Sequence, residues 1–91
     1  MTTLSYATVK RHLSDLLPHG AQSEIKRRIS KRLHREFSLD YISKVLNPNR
    51  REWNFIIITE AKAIIKEQVE ALEKENKEIQ NLKQRADEIS K

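Results

Sequence analysis

Phe37-Ser38-Leu39-Asp40-Tyr41-Ile42-Ser43-Lys44-Val45-Leu46-Asn47-Pro48-Asn49-Arg50-Arg51 is the stretch whose reading decides the fold. Ser38 is a good helix N-cap, because its hydroxyl can accept from a backbone N–H that the first turn leaves unpaired. Ile42, Val45 and Leu46 then recur at helical spacing and give the segment one apolar face, with Leu39, Asp40, Ser43 and Lys44 pointing elsewhere. Asn47-Pro48-Asn49 predicts a turn, since proline disfavours helix at the residue before it, and Arg50 and Arg51 follow at once. The expectation is a short capped helix from Ser38 to about Leu46 that is anchored on one side and polar on the other.

Moving upstream, Ala21 or Ser23 opens a second helix in which Ile25, Ile29 and Leu33 form one stripe on an otherwise basic surface. Before it, a helix beginning at Thr3 or Ser5 carries Val9, Leu13, Leu16 and Leu17, and is stopped by Pro18 and the only glycine, Gly20. Downstream, residues 54–90 contain neither proline nor glycine and are rich in Ala, Glu, Lys, Gln and Ile, which predicts one continuous helix. At about 1.5 Å per residue it extends some 50 Å, too long to fold back inside so small a domain. No segment alternates as a strand. The chain therefore reads as all-α: a bundle of about four helices, the last one projecting.

The projecting helix carries two apolar lines. Ile57, Ala61 and Ile64 share one and can close the core, while Ile58, Ile65, Val69, Leu72, Asn76 and Ile79 follow another, roughly 80 to 100° round the axis. From Ile65 the intervals alternate four and three, as a coiled-coil seam requires, with Val69 and Asn76 at one core position of the heptad and Ile65, Leu72 and Ile79 at the other. That pattern favours a parallel pair, so residues 65–91 are expected to form a homodimerisation helix and residues 1–64 a separate globular unit. After Ile79, Leu82, Ala86 and Ile89 continue the seam only through two successive steps of three, a local overwinding.

Bulk properties exclude much else. Ninety-one residues leave little room for a core with an internal catalytic cavity. The absence of cysteine rules out disulfides and thiolate metal sites and suits a reducing cytoplasm. The longest apolar run, Phe55 to Ile58, is far too short to cross a bilayer, and nothing reads as a signal peptide. His12, His19 and His34 lack zinc-ligand spacing, and there is no glycine-rich phosphate loop. The expectation is a non-enzymatic protein with no cofactor, metal, membrane contact or small-molecule ligand. Trp53, Tyr41 and Phe37 read as packing residues around the short helix in preference to platforms for an unpaired base.

Charge divides unevenly. Of the formal net +5, residues 1–51 hold eleven Lys or Arg against four Asp or Glu, a net of +7, and residues 52–91 hold seven against nine, a net of −2. Lys26, Arg28, Arg32 and Arg35 precede the short helix and Arg50 and Arg51 follow it, the arrangement expected of phosphate-neutralising groups around an element that reads bases.

Leu17-Pro18-His19-Gly20, Ile25 with Ile29, and Tyr41-Ile42-Ser43-Lys44-Val45-Leu46-Asn47 followed by a basic turn together resemble the helix-turn-helix regulators of the Cro and phage-repressor type over residues 9–65. The resemblance implies that the helix ending near Leu33 supports the unit and that the next one enters the major groove of double-stranded DNA. It implies base-facing Leu39, Asp40, Ser43 and Lys44, and core Ile42 and Val45. The connection His34-Arg35-Glu36-Phe37 is about two residues longer than the pattern, Ser30 stands where it usually has alanine, and Asn49 serves where glycine is common.

A two-fold dimer doubles the contacts of a short reading helix and turns half-site spacing into specificity. The function expected is thus a cytoplasmic, nucleoid-associated transcription regulator, a repressor-type homodimer on an inverted repeat. The alternatives are an adaptor or antitoxin that holds another protein through the coil, and a nonspecific RNA or nucleoid binder.

Overall fold

A computed structural model describes residues 5–89. Four helices follow one another, α1 (Tyr6–Leu16), α2 (Ala21–Leu33), α3 (Leu39–Leu46) and α4 (Phe55–Ile89), with no strand among the described residues. The chain is all-α, as its patterning requires. No described helix is long and apolar enough to cross a membrane.

Local chemistry sets the boundaries. Ser5 caps α1 by accepting from the Thr8 N–H at 3.2 Å; the alternative start, Thr3, lies outside the described residues. Leu17 is extended, as the residue before a proline should be, and its N–H still donates to Leu13 O at 2.9 Å. Gly20 enters α2 with φ of 83°, and nothing lies within 4 Å of where its Cβ would stand, so the backbone conformation and not space calls for glycine. At the other end of α2, His34 adopts φ of 54° and donates its N–H to Ser30 O at 3.1 Å. The left-handed residue that closes this helix is a histidine, in the place where glycine is usual.

Ser38 caps α3, accepting from the Tyr41 N–H at 3.1 Å. Asn47 and Asn49 then build the turn, through Asn49 N–H to Asn47 Oδ1 at 2.9 Å and Arg50 N–H to Asn47 O at 3.1 Å. Asn54 caps α4, its Oδ1 accepting from Ile56 N–H at 2.9 Å and Ile57 N–H at 3.3 Å. The predicted end at Ser90 lies outside the described residues.

The core gathers Leu13 from α1, Ile25 and Ile29 from α2, Ile42, Val45 and Leu46 from α3, and Ile57, Ile58, Ala61 and Ile64 from α4. Four apolar positions depart from expectation. Ile58, placed on the outward line, is 3% exposed and belongs to the core, and Ile65 is half-buried against it. The core takes a wider arc of α4 than one line because α1, α2 and α3 all pack on it. Leu16 and Leu33, at the last turns of their helices, stand largely in solvent. Beyond Ile65, α4 leaves the domain with every described residue exposed, and the molecule spans 60 × 39 × 18 Å.

Candidate nucleic-acid interface

The short helix α3 is fixed from behind. Ile42 and Val45 are wholly buried and Leu46 nearly so, while Tyr41 is half-buried with its ring 5.6 Å from that of Phe37. On the other side Asp40 is exposed and forms an ion pair with Lys44 at 3.1 Å, one turn along the helix. Ser43 is half-buried. Leu39 is 45% exposed and sits one side of Leu46, where the two line a shallow depression with the loop Leu17–Gly20 and the start of α2. Asp40 thus points most directly outward; Leu39 is exposed at the edge of the helix, and Lys44, like Ser43, is half-buried, with its side chain 41% exposed.

Most of the basic groups expected to meet phosphate already have partners. Lys26 donates to Phe37 O at 3.0 Å, tying the α2–α3 connection to α2. Arg28 donates from Nε to Glu24 at 2.8 Å and from Nη2 to Glu67 of α4 at 2.7 Å. Arg32 pairs with Glu60 at 2.6 Å, Arg35 lies over the Phe37 ring at 5.6 Å, and Arg50 pairs with Glu52 at 3.2 Å. Arg51 is exposed and makes no ion pair among the described residues. Arg27 also reaches Glu24, whose carboxyl is held down to about 2 by the hydrogen bonds of Arg27 and then Arg28. The Arg28 guanidinium is in turn pushed above its ordinary value by hydrogen bonds to Glu67 and Glu24.

Two buried charges were not legible as such. Lys10 is 1% exposed, and its ammonium donates to Asn47 O at 3.4 Å, to Arg50 O at 2.9 Å and to Glu52 O, so its three hydrogens all meet carbonyls of the α3–α4 connection. Burial lowers its pKa, against the opposing pull of Glu52. Glu60 is 3% exposed, held by Arg32 through one oxygen while the other has no partner among the described residues. A sequence signal exists for both: Lys10 shares a helix face with Leu13 and Leu17, and Glu60 shares one with Ile57 and Ile64. Trp53 stacks on Tyr6 at 4.2 Å with an interplanar angle of 18°, which gives it a packing partner beside this connection.

The arrangement holds one polar helix face, a reciprocal acid–base pair upon it, and a basic turn pinned from beneath. No family model, no curated protein and no solved structure matches this chain.

Proposed function

We propose that the chain is a sequence-specific, double-stranded DNA-binding transcription regulator of the helix-turn-helix kind, acting as a homodimer in the cytoplasm on an inverted-repeat site. The observation that carries this reading is α3 itself, buried through Ile42, Val45 and Leu46, with Asp40 exposed and paired to a half-buried Lys44 on its other side, and with the Asn47–Glu52 connection braced by Lys10 at its end. An anchored helix with a polar outer face is the element that fits a major groove.

In this reading Lys44 donates to a guanine edge, Asp40 accepts from a cytosine amine, Leu39 meets a thymine methyl and Ser43 completes the set. The Asp40–Lys44 pair opens at small cost because both groups are solvated. Arg51 is the most available phosphate contact, followed by Arg50, Arg35 and Lys26, whose present partners are backbone, ring or an adjacent carboxylate. The exposed Val69, Leu72 and Ile79, with Asn76 between them, supply the dimer seam.

Competition binding with variants tests the assignment. Lys44→Ala should relax preference at one base pair, costing about 1–3 kcal/mol on the preferred site, whereas Arg51→Ala should weaken all duplexes alike and reduce the salt slope by about one. Equal loss on every duplex from Lys44→Ala contradicts the reading. An adaptor that uses the exposed α4 face to hold another protein predicts no preference among duplexes in the first place.

A further inference from the structure

We propose that the ion pairs between α2 and α4 set the angle at which the reading unit sits on its dimer stalk, so that Arg28 and Glu67 determine the half-site separation the protein accepts. The inference rests on the DNA-binding dimer proposed above, and it gives Arg28 a positioning role in place of a phosphate contact.

The two helices pack through the shared core, and two ion pairs add to that packing. Arg32 meets Glu60 at 2.6 Å and Arg28 meets Glu67 at 2.7 Å. As α2 is followed forward the partners on α4 run backward, and the two carboxylates are seven residues apart, about 10 Å along the helix axis. The core fixes the inner stretch of the crossing, and the pair at Glu67 extends the hold on α4 beyond it. That pair is placed where it matters: apolar contact between α4 and the domain ends at Ile64 and Ile65, and Glu67 is the last α4 side chain tied to the globular unit. Every described residue from Lys66 to Ile89 is exposed, so nothing further out steadies the joint.

The chemistry suits a brace. Arg28 has a side chain 21% exposed and its planar fork is engaged on both sides, at Glu24 on its own helix and at Glu67 across the gap. Glu24 holds the guanidinium in the orientation that reaches Glu67. At the inner fastening Glu60 is buried with one oxygen unpartnered among the described residues, which leaves Arg32 as its only countercharge there. In a two-fold dimer each protomer carries one joint, so a change in angle acts twice on the distance between the reading helices.

The test uses the full chain and a series of synthetic duplexes carrying its selected inverted repeat, with the half-site separation changed by one or two base pairs either way. Unaltered protein should lose about tenfold in affinity for a change of one base pair. Glu67→Gln, at a side chain 59% exposed and so harmless to folding, should flatten that profile to about threefold or less. Affinity at the best spacing, salt slope and dimerisation should stay as they were, and Glu67→Asp should restore much of the discrimination. Arg28→Ala should flatten the profile in the same way without changing the salt slope. A spacing profile unmoved by Glu67→Gln, a uniform loss at every spacing, or a salt slope lowered by about one in Arg28→Ala overturns the brace while leaving the regulator intact. No preference among duplexes in the unaltered protein removes the regulator and the brace together.

Discussion

Lys10 directs its three ammonium hydrogens at carbonyls of the connection between α3 and α4, and so acts as an internal cap for a stretch that no helix or strand pairs. Lys10→Met keeps the aliphatic stem but abandons those carbonyls, and should destabilise the fold by about 1–3 kcal/mol, read as a lower urea midpoint with an unchanged slope. A variant as stable as the parent would mean that the connection holds itself. Glu24 sets a pH dependence. Its carboxyl titrates near 2 when folded, below its ordinary value of 4.5, so its pairing with Arg27 and Arg28 helps in full above pH 4.5 and is lost as pH falls toward 2. Stability should decline through that window, and Glu24→Gln should remove part of the decline; an identical acid limb in the variant would show that the pairing is idle. In the sequence both groups look like ordinary surface charge. Only a position-by-position reading of helix faces separates Lys10 from Arg11, and no local rule shows that Arg28 has a carboxylate from α4 beside it.

At the scale of elements, the helices were legible because capping and proline chemistry are local. Ser5, Ser38 and Asn54 each accept a first-turn N–H, and Leu17 and Asn47 are extended before prolines. The close of α2 was less so, since His34 takes a left-handed conformation that sequence assigns to glycine. Packing blurred the faces of α4: periodicity separates Ile57 from Ile58, but α1, α2 and α3 all pack on this helix and both are buried. Further along the helix the periodicity of Val69, Leu72 and Ile79 stands in solvent on a single chain. Replacing Val69 and Leu72 with lysine should therefore leave the helical domain folded while converting dimer to monomer in sedimentation equilibrium. A wild-type chain that sediments as a monomer, or a double variant that sediments as the wild type does, would contradict the seam.

For the whole molecule, a basic globular unit and a long acidic-leaning helix divide the labour proposed for them, one part meeting nucleic acid and the other meeting its copy. Each half alone has a bland explanation: a basic helical bundle or a charged solitary helix. Together they make a joint claim about symmetry, that the ligand is repeated because the protein is. Selection of bound fragments from random duplex DNA by the intact chain tests this most directly. The account predicts recovered sequences dominated by an inverted repeat with one preferred separation between its halves. Recovery of all sequences alike, or of a single unrepeated motif, would contradict it.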